Sequence, residues 1–172
     1  MAPAPGGAPN PGREPGARER TTERATVMQG DRAKAYRPLA PDLRRAALEA
    51  GLRAYAHGEY FEAHELLEPA WMGTADLAER ALYQGLIKLA AGYVHAVRGN
   101  PIGFARNLRG ARGHLDTSLR LNPKVSLDAG VDIAALLAEI DARLVVAATV
   151  AEELAAGRGP LIALLPEAPL VR

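Results

Sequence analysis

From about residue 41 onward, apolar side chains recur every three or four residues, the spacing of helices that turn one face to a core. Leu43, Ala47, Ala50 and Ala54, flanked by Leu48, Leu52 and Tyr55, predict a first helix. Pro41 suits its first turn, and Gly58 its stop, because glycine takes positive φ without a Cβ clash. A second helix is predicted over residues 59–72 with Pro69 inside it. Proline has no N–H, so the carbonyl of Glu65 loses its partner and a kink or stop is expected there. Gly73 closes this segment, and Thr74 is placed to cap the next.

The third predicted helix, residues 75–98, is long and mostly apolar, with Tyr83, Leu86, Ile87, Ala90 and Val94 on its surface. Gly99 ends it. Asn100-Pro101 opens a fourth as N-cap and first-turn proline, and the short connection makes the two helices antiparallel neighbours. This fourth helix is expected to reach about Leu121, with Ile102, Ala105, Leu108, Leu115 and Leu119 inward. Asn122-Pro123 breaks it. A fifth, residues 132–156, sets Ile133, Leu136, Leu137, Ile140, Leu144, Ala148, Ala151 and Leu154 on one side, with Glu139 and Arg143 as a favourable i,i+4 pair. Ala78, Ala81, Gly85, Gly92 and Ala96 form a small-residue stripe that marks a tight helix crossing or, alternatively, a homodimer face.

The expectation is therefore an all-α protein of about five helices in a compact bundle or irregular array, with no sheet. Residues 39–172 form one domain. Its C-terminal segment 160–166, apolar and bounded by prolines, is expected to dock in extended form. Residues 1–38, rich in Pro, Gly, Ala and Arg, hold too little apolar surface to offset their ordering entropy and read as a disordered arm. The arm carries seven basic residues against four acidic ones, which reads as a solvated tail in preference to a nucleic-acid arm.

Composition narrows the class. The chain has 172 residues, 48% of them hydrophobic, enough for one domain with a real core. Aromatics are only 5%, which suits closely packed helices. A net charge of +1 gives no global field to draw nucleic acid or a membrane surface. With no cysteine there are no disulfides, thiolate metal sites or cysteine nucleophiles, and the composition fits a reducing cytoplasm. The longest apolar run, residues 144–151, falls far short of the roughly 20 residues a membrane span needs. Residues 1–30 hold no run resembling a signal sequence. A cytoplasmic location is the default.

The chemistry concentrates in the second helix. With His64 at zero on a wheel of about 100° per residue, Glu68 lies about 40° away, Trp71 about 20° to the other side and Glu65 at the sector's edge. Phe61 and Leu67 share this helix. Unpaired charge on an apolar face is costly, so these groups either satisfy one another or line a pocket. Gln84, Lys88 and His95 form a second polar stripe on helix three. If helices two and three pack together, that stripe meets the first, and a cation there neutralises Glu65 and Glu68.

The run Phe61-x-x-His64-Glu65-x-x-Glu68-x-x-Trp71, followed by Tyr83-Gln84-Gly85-Leu86-Ile87-x-Leu89-Ala90 and then His95, resembles the prokaryotic domain-of-unknown-function family 309. The resemblance spans residues 48–119. It implies a compact all-helical domain with these polar residues grouped where helices two and three meet, and it implies no established activity. Lys88 stands where many relatives are expected to have glutamine, which makes the grouping more cationic.

The leading reading is a binding or interaction module whose cluster of His64, Glu65, Glu68, Trp71, Gln84, Lys88 and His95 is either a small-molecule site or a buried network that fixes helix register. The alternative is a small hydrolase-like enzyme with Glu65 or Glu68 as base beside His64, with or without the help of a metal. His64, Glu68 and His95, with His114 in reserve, are the weak metal candidates. His-Glu-x-x-Glu lacks the second histidine of the zincin helix, and Phe61 stands where a di-iron glutamate belongs. No cofactor is implied. A third reading is a nucleic-acid accessory protein using the arm and helix four, which bears Arg106, Arg109, Arg112 and Arg120. A solvated face is favoured over it, for want of interleaved aromatics.

Overall fold

The computed structural model of the chain describes residues 26–29 and 32–156. Among them are six helices: α1 Pro41–Ala56, α2 Tyr60–Gly73, α3 Leu77–Val97, α4 Pro101–Leu121, α5 Val125–Ala129 and α6 Ile133–Ala155. The all-α class stands. The expectation of no sheet and of an arm without structure to residue 38 needs one correction. Strands β1 Thr26–Gln29 and β2 Arg32–Ala35 pair antiparallel, Thr26 opposite Ala35 and Gln29 opposite Arg32. Gly30-Asp31, between them in sequence, is of the kind that closes two-residue hairpins. The expectations for residues 1–25 and 160–166 fall outside the described residues.

The helices pack in series, α1 on α2, α2 on α3, α3 on α4 and α4 on α6. Close approach sets two of these steps, α1 on α2 and α3 on α4. A Cβ on Gly51 would sit 2.6 Å from Leu67 Cγ, so α1 and α2 touch nearly backbone to side chain. A Cβ on Gly85 would meet Leu115 Cγ at 2.7 Å, and one on Gly92 would meet Leu108 Cδ1 at 2.6 Å. The small-residue stripe is thus buried under α4 within one chain, and the face suggested for a homodimer is already covered. Asn100 caps α4 by accepting from the Gly103 N–H at 2.8 Å, as its sequence predicts. Gly99 takes φ of +67°, which lets the chain reverse before it.

Elsewhere the expectations shift by a residue or two. α2 runs unbroken through exposed Pro69 to Gly73, so of the kink or stop expected there the stop is not found. Its last carbonyls have partners: the extended segment before α1 donates Arg37 N–H to Met72 O at 3.2 Å and Leu39 N–H to Gly73 O at 3.0 Å. The α3 cap is Asp76, which accepts from Glu79 N–H at 2.8 Å, in place of Thr74. On α4 the inward line is Phe104, Leu108, Ala111, Leu115 and Ser118, while Ile102 is 80% exposed. The crossing at Gly85 and Gly92 aims that line, and Ile102 falls outside it. On α6, Ile133, Leu136, Ile140, Arg143 and Ala147 face inward and Ala148 is exposed, because the buried seam advances by alternate threes and fours. The side chains of Ala151 and Leu154 are outside the described residues.

Tyr60, Tyr93 and Phe104 gather at the end of the array where α3 turns into α4, with ring centroids 5.1 and 5.4 Å apart. Burial pushes the Tyr93 hydroxyl up to about 12, so it stays neutral and accepts from Arg143 Nε at 3.0 Å. Arg143 also pairs with Glu139, the predicted i,i+4 pair within α6, and its bond to Tyr93 ties that helix to the core.

Candidate functional site

At the opposite end, the first turns of α1 and α3 and the α4–α5 junction enclose a cavity of about 580 Å³. Its apolar floor comes from Leu48, Leu82, Val125 and Ala129, and Asp42, Arg45 and Asp128 stand at its exposed rim. Glu79 organises one wall. It accepts from Arg44 Nε at 2.9 Å, from the Tyr83 hydroxyl at 3.0 Å and from Thr74 Oγ1 at 2.5 Å. Arg44 also donates Nη1 to the Leu39 carbonyl at 2.5 Å, which ties the segment before α1 to this wall. Burial and the neighbouring Glu79 carboxylate raise the Tyr83 hydroxyl far above its ordinary value, so it is a fixed neutral donor. The hydrogen bond to Glu79 raises Arg44 further. The wall is preorganised because each polar group already has its partner.

Sequence reasoning did not single out Arg44 or Glu79, and it treated Tyr83 as part of a motif or as apolar surface. One signal was present. Asp76-x-x-Glu79 has the spacing of a capping box, which puts Glu79 in the first turn of α3. Here the Glu79 side chain goes to Thr74, Arg44 and Tyr83, partners brought by folding.

The residues expected to form the site are placed as follows. His64 is half-buried, and its Nδ1 lies 3.0 Å from Oε1 of exposed Glu65. Glu68 is half-buried on the same helix. Trp71 is core, at 1% exposure. Gln84, Lys88 and His95 are each half-buried on α3. Lys88 and His95 turn toward α4, whereas the expectation had them meet α2. A Cβ on Gly110 would lie 3.3 Å from Lys88 Cδ, and one on Gly103 would lie 2.5 Å from His95 Nδ1. His95 Nδ1 is also 3.2 Å from Asn100 Nδ2. The cause is rotational: Lys88 lies three residues from Gly85 and His95 three from Gly92, about 60° round the helix from the line that α4 covers. Among the described residues no group of three or more His, Asp or Glu is arranged to hold a metal ion. Of the α4 arginines, Arg112 pairs with Asp141 at 2.5 Å and Arg120 with Asp116 at 2.9 Å, which reduces the free basic strip.

Lys88 also bears on His114, half-buried on α4. Burial, aided by the Lys88 charge, holds this imidazole below its ordinary 6.5. The unfolded chain then binds a proton more readily than the folded one, so stability falls as pH drops below about 6.5 toward the folded value. His114→Gln is expected to flatten that part of the slope. Melting temperatures at pH 7.5 and pH 5 for both proteins measure it, and an unchanged slope refutes the assignment.

These features define a class: a small all-α domain with a covered α3–α4 hairpin, a polar-walled cavity at one end and an aromatic cluster at the other. Residues 48–107, from Leu48 in α1 to Asn107 in α4, match the family described as a domain of unknown function, DUF309. Glu79 and Tyr83 fall inside the match, and Arg44 and α5 lie outside it. No curated protein and no solved structure matches the chain. Among the described residues no helix is long and apolar enough to cross a membrane.

Proposed function

We propose that this protein is a binding module whose ligand seats in the cavity between α1, α3 and α5. The supporting observation is the cavity itself. At about 580 Å³ it has the size of a small-molecule site, with an apolar floor and a few fixed polar groups in one wall. Such a lining suits a compact organic molecule with an apolar body and a polar head, the body over Leu48 and Leu82 and the head toward Arg44, Glu79 or the rim. A thermal-shift screen of small metabolites tests it. A ligand at one hundred times its Kd stabilises the fold by about 2.7 kcal/mol. Ala129→Phe, which puts a ring into the cavity from a half-buried position, is expected to abolish the shift. A hit that survives this change unaltered sinks the reading.

A second reading follows from the His64–Glu65 pair, which remains open to solvent at 3.0 Å. It puts ligand binding, or general-base chemistry of a hydrolase-like enzyme, on the solvent side of α2, with Glu65 or Glu68 beside His64. Imidazole resonances separate the two. A ligand in the cavity leaves His64 unmoved, and a ligand on α2 shifts it. The cysteine-free composition suits a cytoplasmic setting for either.

A further inference from the structure

A shallow groove of about 430 Å³ lies where the α1–α2 turn meets the end of α3, lined by Tyr60, Phe61, Val94, Val97 and Arg98 among others. Phe61 and Val97 are 61% and 60% exposed, an unusual position for a phenylalanine beside a valine. Both come from long, well-packed helices, so their exposure is a property of the folded array.

The course of α6 points to what covers them. α6 starts beside α5, where Ile133 N–H donates to Ser126 Oγ at 3.1 Å. It passes the aromatic cluster at Arg143, bonded to Tyr93. Tyr93 packs on Tyr60, and Tyr60 lines the groove. α6 therefore runs in the same direction as α3 and continues from Arg143 to Ala155, twelve residues or about 18 Å. On α3, Val97 is only four residues, about 6 Å, past Tyr93. Along the direction of α3, the end of α6 thus lies about 12 Å beyond Val97. Six residue-to-residue steps lead from Ala155 to Leu161, a reach of about 20 Å, enough to double back. The segment so delivered, residues 160–166, carries Leu161, Ile162, Leu164 and Leu165 with no charge and a proline at each end.

We propose that residues 160–166 fold back along the end of α6 and lay their leucines over Phe61 and Val97, as an extended strap. The prolines favour an extended course, and the groove's apolar lining removes the strap's side chains from water. Glu59, Glu62 and Arg98 at the groove's edge keep charge at its border, where the uncharged strap need not meet it.

The cysteine-free chain makes the test direct. Val97→Cys with Leu164→Cys, oxidised in dilute solution, is expected to close an intramolecular disulfide. Leu127→Cys with Leu164→Cys is the control, since Leu127 is exposed on α5 at the other end. A held pair should close about tenfold faster or more than a freely diffusing one. Equal rates, or linked dimers in place of linked monomers, overturn the proposal; dimers assign the groove to a second copy. Amide hydrogen exchange in the full chain gives a second reading that needs no cysteine. Residues 161–165 are expected to be protected in the parent and to lose that protection in Phe61→Asp. Full exchange in the parent would equally overturn it.

Discussion

Gly85→Val is expected to lower the melting temperature by about 10 °C. Any Cβ at this position lies 2.7 Å from Leu115 Cγ and 3.3 Å from the Ala111 carbonyl oxygen, and the second of these is backbone that cannot rotate away. Overpacking of this kind costs about 1–3 kcal/mol, and the branched side chain puts the change at the top of that range. A loss near 3 kcal/mol at roughly 3–4 °C per kcal/mol gives the stated shift. The gain from replacing a helical glycine, about 1 kcal/mol at most, does not offset it. Leu115→Ala, which alone costs about 2–5 kcal/mol, makes the room that valine needs, so the double variant should lose less than the two singles summed. Gly113→Ala is the control. Nothing lies within 4 Å of its Cβ position, and it should be neutral or slightly stabilising. If Gly85→Val melts with the parent, α3 and α4 do not cross as described.

Glu79→Ala is expected to cost about 3–5 kcal/mol, far more than the roughly 0–1 kcal/mol of an exposed ion pair. Loss of the carboxylate takes the acceptor from three donors at once. Two of them, Thr74 and Tyr83, are only 1% and 2% exposed. Glu79→Gln keeps an oxygen and the shape, and should cost less than half as much. Chemical denaturation of the three proteins measures the order. Equal losses for alanine and glutamine would mean that charge, and not acceptor count, holds the wall together. Glu79→Ala should also loosen the segment at residues 36–39 through Arg44, visible as faster amide exchange at Leu39.

The family stretch and the helix ends were legible because they are local. Asn100-Pro101 and Gly58 act through the backbone of one turn, and the four long helices after α1 begin and end within a few residues of where their sequences place them. α5 was not legible: five residues carry too little periodicity to register. Nor was the β1–β2 ribbon, whose short strands hold little apolar surface and sit in a segment rich in small and charged residues.

The candidate site divides along the same line. His64 and Glu65 are neighbours in sequence, and their pairing needs no knowledge of the fold. The partners of Lys88 and His95 depend on which side of α3 receives α4, and that follows from Gly85 and Gly92 meeting Leu115 and Leu108. The wall of Arg44, Glu79, Tyr83 and Thr74 joins residues up to 39 positions apart.

By itself, then, the sequence determined the all-α class, the bounds of the five longer helices to within a few residues, and the tight α3–α4 hairpin. Those follow from a 3.6-residue period, caps and glycine positions that act over a few residues. Only the tertiary structure decided that Lys88 and His95 of the polar stripe border α4, that Phe104 and not Ile102 fills the core, and that a cavity lies between α1, α3 and α5. These depend on the rotation of one packed helix against another, where a turn of about 60° exchanges one neighbour for the next.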